Sequence, residues 1–276
     1  MKKFLNGPWV LLLPTFIILA CVVFLPLLLS LWTSFTPFKL TKPDTLYRFV
    51  GLRNYERLIG DYDFWIAFGR TVLFLTIALN LELVFGLGIA LLINKITYAQ
   101  KTLRTLMMFP MMFSPILVGF QWKYIFNDNI GLLNNFLREF GVVNPIPWLV
   151  DATLANISIM AAEIWSSTSV FAILLLAGLM GIPKDPIEAA KVDGCNSWQV
   201  FKNITLPFLM PFIFIAMTIR SLDVARAYDI VQMMTGGGPA KRTELLWTLI
   251  SRTGYVDAKM GMANAMSYIS IVLSIA

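Results

Sequence analysis

The sequence predicts an all-α membrane protein with six transmembrane helices, and this prediction comes from its composition and from the spacing of its apolar runs. Hydrophobic residues make up 58% of the 276 residues and charged residues only 14%, with a mean hydropathy of +0.72. Soluble domains average about 45–50% apolar and about 25% charged residues. The chain therefore has too little charge to cover a soluble protein, and lipid is its expected solvent.

Six stretches approach the length needed to cross a membrane, because a helix crossing about 30 Å of hydrocarbon needs about 20 apolar residues. The last stretch is short and still apolar at Ala276, so we expect the natural C-terminus to continue or to have been trimmed. We predict one transmembrane domain over residues 1–276, with spans at 8–35, 64–93, 105–126, 152–181, 206–234 and 261–276.

The charges of the loops predict a cytoplasmic N-terminus. Lys2 and Lys3 precede an apolar run that could be a signal peptide, but the run is too long and lacks a small-residue cleavage site, so we expect a retained helix. With this orientation, the inside loops 1–7, 94–104 and 182–205 hold eight Lys or Arg residues, and the much longer outside loops hold ten. This density fits the positive-inside rule. The net charge of +6 forms no basic stripe of the kind that binds nucleic acid.

The residues that most enzymes and metal sites use are missing from the sequence. It contains no His, and its two cysteines, Cys21 and Cys195, fall in an apolar span and in a loop. No G-x-x-x-x-G-K-[ST] phosphate loop is present, and the glycines of Gly86-Leu87-Gly88 favour helix packing. We therefore predict that the chain is not an enzyme, that it holds no cofactor, and that another chain handles any ATP.

The loop between the fourth and fifth predicted spans carries the most specific pattern. Pro183 and Pro186 are expected to stop the fourth span and to begin a short helix over 187–193. Gly194 permits the turn that ends this helix. Ser197 is the expected N-cap of a second short helix over 198–203, and Pro207 is expected to open the fifth span. This helix–turn–helix suits insertion into a groove on a partner.

The spacing in this loop resembles the "EAA" loop in the permease subunits of binding-protein-dependent ATP-binding-cassette importers. The matching residues are Glu188-Ala189-Ala190, Gly194 and Ile204-Thr205-Leu206-Pro207. Two further segments, Gly51 to Tyr55 and Tyr228 to Pro239, resemble elements of the maltose and glycerol-phosphate group, which mainly moves carbohydrates. The resemblance implies a type I importer permease fold in the bacterial inner membrane.

This resemblance implies that the loop, about residues 182–206, couples the chain to an ATPase; the alternative is an ordinary amphipathic loop. The implied partners are a second permease subunit, two ATPase subunits that bind ATP–Mg, an external solute-binding protein, the bilayer and a sugar-like substrate, with no nucleic acid. The candidate coupling residues are Glu188, Ala189, Ala190, Asp193 and Gly194.

Ionisable residues inside membrane spans are costly and commonly mark a pathway or a partner. Arg220, Asp223, Arg226 and Asp229 recur every three residues and can pair along a helix. They are either structural pairs that join two permease halves or groups that bind sugar hydroxyls. In the family, the spans on either side of the loop hold the sugar, which gives four substrate-binding candidates: Glu163, Ser167, Arg220 and Asp223.

Three further expectations remain. Glu82 is expected to be an interhelical or inter-subunit partner, and Pro110 and Pro115 are expected to kink the third span, either as a hinge or as a static packing feature. An ion-gradient-driven secondary transporter is the main rival function, although no internal repeat is visible. A membrane enzyme and a purely structural scaffold are disfavoured, because no nucleophile–base pair exists and because a scaffold has no need of carboxylates in its spans.

Overall fold

A computed structural model of the chain describes residues 8–96 and 98–275. Over these residues the chain is almost entirely helical, and they contain no β-strand beyond an isolated bridge between Lys39 and Lys42. The chain divides into two units, residues 1–66 with 249–276 and residues 67–248; the single domain predicted for residues 1–276 stays a prediction. Lys2, Lys3 and Ala276 lie outside the described residues.

The helices follow one another with short connections. The chain begins with α1 (Pro8–Leu19), a π-helical turn (Ala20–Phe24), α2 (Leu25–Ser34), a 3₁₀ turn (Pro43–Tyr47) and α3 (Arg53–Ile59). It continues with α4 (Tyr62–Lys95), α5 (Gln100–Met108), a 3₁₀ turn (Pro110–Met112), α6 (Pro115–Ile125), α7 (Leu132–Glu139) and α8 (Ala152–Met180). The rest is α9 (Lys184–Val192), α10 (Ser197–Val200), a π turn (Phe201–Thr205), α11 (Leu206–Ala225), α12 (Asp229–Met234), α13 (Leu246–Ser251), a π turn (Arg252–Val256) and α14 (Met260–Ile275).

In the first unit, α14 packs against α2 at very short range. A Cβ atom on Gly261 would lie 2.1 Å from the carbonyl oxygen of Thr36, so no larger residue fits there. The Gly51–Tyr55 segment holds the end of α2: the buried Asn54 amide donates 2.8 Å hydrogen bonds to the carbonyl oxygens of Ser34 and Thr36. This segment therefore closes the first helix by satisfying its last carbonyl groups.

In the second unit, α8 is the central helix, with fourteen of its 29 residues buried. Helix α4 crosses it closely at Gly86, where a Cβ atom would lie 2.4 Å from the Cβ atom of Phe171. Phe171 itself is fully buried in the core of this unit. The packing role predicted for Gly86 is therefore confirmed, whereas Gly88 has no heavy atom within 4 Å of the position of an added Cβ.

The described helices coincide with the six predicted spans, but they differ in length and shape. Four are long and apolar enough to cross a membrane: Leu12–Ser34, Tyr62–Lys95, Ala152–Met180 and Ser197–Ala225. At the predicted third span, Gln100–Met112 and Pro115–Ile125 form a pair bent by 91°. The prolines cause this bend, as predicted, because Pro110 opens a 3₁₀ turn and Pro115 starts the next helix. At the sixth, the apolar stretch Met260–Ser274 is shorter.

The predicted bounds of the fifth span, 206–234, were wrong at both ends. The helix begins at Ser197 and runs without a break through the π turn Phe201–Thr205 to Ala225. Pro207 therefore does not open the span; it is tolerated after a π turn, where the wider hydrogen-bond ring displaces the carbonyl groups with which a proline ring would clash. The helix ends before residue 229, and α12 is a separate helix.

Substitution of the two α4 glycines tests this packing. Gly86→Ala is expected to lower the free energy of unfolding by about 1–3 kcal/mol, because the added methyl group overpacks a rigid contact. Gly88→Ala is the matched control: it has open space and gains up to about 1 kcal/mol of helix propensity. The thermal midpoint of the purified importer complex, followed by fluorescence-detected size exclusion, measures both. Equal midpoints for the two variants would contradict the packing described.

Candidate functional site

The loop after α8 is a helix with a closed C-terminus. Pro183 lies at the N-cap position of α9, and the helix ends at Val192. The chain then turns through Gly194, whose φ of +80° favours glycine. Cys195 N–H donates to the carbonyl oxygen of Ala190 and Gly194 N–H to that of Lys191, at 2.9 and 3.1 Å. This pair of hydrogen bonds is a Schellman motif, and it confirms the turn predicted at Gly194.

The next helix begins with a reciprocal cap, and its N-cap was wrongly predicted. Asn196, not Ser197, is the N-cap residue: its side chain accepts a 2.9 Å hydrogen bond from Gln199 N–H, and the Gln199 side chain accepts one of 2.7 Å from Asn196 N–H. Such a capping box satisfies two N–H groups at a helix start. The predicted short helix over 198–203 is thus the first part of the long Ser197–Ala225 helix.

The five candidate coupling residues lie together on this loop, and its surface is free. Glu188, Ala189, Asp193 and Gly194 are exposed and Ala190 is half-buried, while α9 has no buried residue. The apolar side chain of Val192 is 88% exposed. It lies three residues after Ala189 and four after Glu188, so these side chains share one face of α9. The loop thus presents a small, unpartnered face with a carboxylate beside it.

The same long helix carries Arg220, which lies 23 residues after Ser197. At 1.5 Å per residue, this separation is about 35 Å along the helix axis. Between them the chain changes only to the wider π turn at Phe201–Thr205. The loop and the charged cluster around Arg220 are therefore two ends of one helical element.

A buried cluster of one arginine and three carboxylates joins α4, α8 and α11. Arg220 donates from Nε and Nη2 to the two oxygens of Glu82 at 3.1 and 3.2 Å, and from Nη2 to Glu163 Oε1 at 2.7 Å. Its Nη1 lies 3.5 Å from Asp223 Oδ2. The side chain of Glu82 is fully buried, whereas that of Asp223 is 52% exposed. Glu82 is thus an interhelical partner within the chain, one of its two predicted roles.

One side of the cluster opens into a cavity of about 370 Å³. We name it the polar cavity. It lies at the start of α6, beside α8 and the ends of α11 and α12, and is lined by Pro115, Glu163, Ser166, Ser167, Arg220, Asp223, Arg226, Ala227, Tyr228, Asp229 and Ile230. Ser167 Oγ lies 3.4 Å from Glu163 Oε1 and 3.3 Å from Ser166 Oγ. All four predicted substrate-binding residues line this cavity.

Two details differ from the sequence prediction. The charged series on the fifth span is divided, because the helix ends between its members: Arg220 contacts Asp223, Arg226 Nε donates to the carbonyl oxygen of Leu222, and Asp229 begins α12. Four of the five guanidinium N–H groups of Arg220 are already engaged by carboxylates, which leaves one on Nη1.

The sequence analysis did not single out several residues of the cavity. Tyr228, Ala227 and Ile230 line it because the chain turns between α11 and α12, and no local signal marked that turn. The pairing of Glu82 with Arg220 joins residues 138 positions apart. Its only trace in the sequence is that both are charged residues inside apolar runs.

The chemistry of the polar cavity is hydrogen bonding rather than catalysis. It combines two serine hydroxyl groups, a tyrosine and several carboxylates, which can donate to and accept from a polyhydroxylated molecule. Among the described residues, no group of three His, Cys, Asp or Glu side chains is placed to hold a metal ion. The arrangement suits reversible binding of a polar solute inside a membrane.

Comparisons with known proteins follow the same direction. Residues 82–276 match the family model described as "Binding-protein-dependent transport system inner membrane component". The "Probable ABC transporter permease protein y4oQ" of Sinorhizobium fredii is 34% identical over 264 residues, which cover 96% of this chain and 85% of that protein. The "Trehalose/maltose transport system permease protein MalF" of Thermococcus litoralis is 34% identical over 268 residues, covering 96% and 88%.

A solved structure is similar over the whole chain. It is a chain in the crystal structure of a "bacterial alginate ABC transporter in complex with alginate pentasaccharide-bound periplasmic protein". The TM-score is 0.83 with 22% sequence identity, covering 100% of this chain and 93% of that chain. At this identity the likeness concerns the fold, and it confirms the all-α permease-like fold expected from the loop spacing.

The charged cluster predicts unequal costs for two neutralising substitutions. Glu82→Gln removes a fully buried carboxylate from a bidentate pair, so we expect it to lower the free energy of unfolding by about 3–5 kcal/mol. Asp223→Asn removes a half-exposed, more distant partner and should cost at most about 1 kcal/mol. Thermal midpoints of the purified complex compare the two. An Asp223→Asn variant as unstable as Glu82→Gln would contradict the geometry described.

Proposed function

Because the chain belongs to the family of binding-protein-dependent transport system inner membrane components, we propose that it is the permease subunit of an ATP-driven importer of a sugar or sugar derivative. It performs no catalysis itself. Its partners are a second permease, with which it forms a heterodimer, two ATPase subunits that bind ATP–Mg, and an external solute-binding protein. The similar MalF protein is named for trehalose and maltose transport, and this name supports a carbohydrate as the substrate.

The observation that carries the coupling role is the geometry of the loop. Its two helices are closed by a Schellman motif and a capping box, so the loop has a fixed shape. The exposed face of Glu188, Ala189 and Val192 fits a groove on an ATPase subunit. Because the second loop helix continues into the Ser197–Ala225 span, movement of the docked loop is transmitted along that span.

At the other end of this span, the polar cavity receives the substrate. Ser166, Ser167 and the exposed carboxylate of Asp223 bind sugar hydroxyl groups. Glu163 accepts from Arg220 and Ser167 and is fixed in place by them. Arg220 is a positioning residue, because most of its N–H groups are engaged by carboxylates of the chain. The importer alternates between two states in which the cavity opens to opposite sides of the membrane.

The proposed orientation places the N-terminus and the coupling loop in the cytoplasm. The basic residues of the loops support it, since Lys95, Lys101 and Arg104 share a side with Lys184, Lys191 and Lys202. This side is also where ATP is available to the partner subunits. Uptake that persists without ATP and stops with an uncoupler would overturn the importer assignment in favour of an ion-driven transporter.

Substitution of Glu188 tests the coupling role. Glu188→Ala is expected to lower the ATPase activity stimulated by the loaded binding protein at least tenfold, because a charged hydrogen bond worth about 1.5–3 kcal/mol is lost at the docked face. Asp185→Asn, which removes a carboxylate from the first turn of the same helix, is the matched control and should retain most of the stimulation. The measurement uses the assembled complex in proteoliposomes. Full stimulation of Glu188→Ala would contradict the coupling assignment.

Substitution of Ser167 tests the polar cavity. Ser167→Ala is expected to raise the KM for uptake about fivefold, because a hydrogen bond of about 1 kcal/mol is lost. Ser158→Ala is the matched control on the same helix: its buried Oγ has no hydrogen-bond partner among the described residues. Initial rates of radiolabelled saccharide uptake in proteoliposomes measure both. Equal KM values for the two variants would contradict the placement of the substrate.

A further inference from the structure

A second cavity lies at the base of the coupling loop. It has a volume of about 600 Å³ and lies between the C-terminal half of α4 and the start of the Ser197–Ala225 helix. We name it the loop cavity. One wall is formed by apolar side chains of α4, and the opposite wall by side chains of the loop helix; the residues used below are Val84, Leu91, Lys95, Lys191, Cys195 and Trp198. It shares no lining residue with the polar cavity.

The charge at the loop cavity has one sign. Lys95 at the end of α4 and Lys191 on α9 line it and are both exposed, and no carboxylate is among its lining residues. The acidic residues of the neighbouring loop, Asp185, Glu188 and Asp193, are exposed and line other surface. An occupant that complements these walls is therefore apolar along its length and anionic at one end.

The depth of the cavity matches one leaflet of a membrane. From Val84 to Lys95 the wall of α4 extends over eleven residues, or about 16 Å at 1.5 Å per residue. This is about half of the roughly 30 Å thickness of a hydrocarbon core. The lysines therefore lie at headgroup level when the apolar wall faces the acyl chains.

Trp198 marks the same level. Its side chain is 67% exposed, lines the cavity and stacks on Phe201 with ring centroids 5.5 Å apart. An indole with an apolar body and one N–H donor favours the interface between headgroups and acyl chains. Apolar depth, two ammonium groups and an interfacial indole thus converge on one edge of the coupling loop.

We propose that the loop cavity binds an anionic phospholipid from the leaflet on the side of the coupling loop. One acyl chain lies along α4 from Lys95 towards Val84. The phosphate group lies between the ammonium groups of Lys95 and Lys191. Because Lys191 belongs to α9, the bound lipid links the coupling loop to the membrane surface at α4.

Lipid retention tests this proposal directly. The assembled complex is placed in nanodiscs of phosphatidylcholine with a minor fraction of phosphatidylglycerol, and the lipids retained after release into detergent are counted by native mass spectrometry. A basic residue near an anionic surface is worth about a fivefold preference. We therefore expect Lys95→Gln with Lys191→Gln to lower retention of phosphatidylglycerol over phosphatidylcholine by about 25-fold.

The matched control removes two other basic residues of the same side, Lys101→Gln with Lys202→Gln, which do not line the cavity. It is expected to change retention less than twofold. An equal loss in the control would show general surface attraction and overturn the site. Equal retention of the two lipids by the wild-type complex would overturn it as well.

The thiol of Cys195 reports which occupant fills the cavity, because it lines the space and is half-buried. In a complex where Cys21 is serine and the partner subunits lack cysteine, we expect maleimide to react more slowly when phosphatidylglycerol is present. Lys95→Gln with Lys191→Gln should abolish this protection. Slow reaction in both lipid compositions would show that a partner subunit fills the cavity, and fast reaction in both would show that nothing does; either result contradicts the proposal.

Discussion

The paired hydrogen bonds between Arg220 and Glu82 are the interaction on which the second unit depends. A guanidinium group and a carboxylate are both costly to remove from water, and the cost is offset only when their hydrogen bonds are made with good geometry. Here both oxygens of Glu82 accept from Arg220, and Glu163 accepts from the same Nη2. The arginine therefore fixes α4, α8 and α11 relative to one another within this unit, and each partner would be left buried and unpaired without the others.

This constraint also shapes the polar cavity. Because Arg220 is held by Glu82 from behind, Glu163 and Asp223 are drawn to the cavity side of the cluster. The serines of α8 lie one turn from Glu163 and continue the polar wall. A polar surface can thus exist among apolar helices because its charges are satisfied within the chain. In the proposed importer, this surface meets the substrate while the cluster keeps the helices in register.

The coupling loop has a corresponding constraint at the opposite end of the same helix. Its turn is closed by hydrogen bonds from Gly194 and Cys195 and its next helix by the Asn196–Gln199 box, so no flexible segment separates α9 from the fifth span. The π turn at Phe201–Thr205 continues the helix rather than interrupting it. In the proposed mechanism, the loop and the cavity therefore move as parts of one element.

Local signals were predictable from the sequence, and long-range ones were not. The turn at Gly194, the bend between Pro110 and Pro115 and the close approach at Gly86 follow from glycine and proline stereochemistry. The start of the fifth span was missed because a proline can either open a helix or be tolerated within one after a π turn. Asn196 and Ser197 are both good N-caps, and only the partner Gln199 decides between them. No local pattern could pair Glu82 with Arg220.

The ratio of saccharide imported to ATP hydrolysed, measured in proteoliposomes, tests most directly whether the loop and the cavity act through one helix. Two glycines inserted between Thr205 and Leu206 would leave the loop and the charged cluster intact while making their connection flexible. We predict that the complex still assembles and hydrolyses ATP, and that the ratio falls at least tenfold. An unchanged ratio would contradict transmission along the Ser197–Ala225 helix.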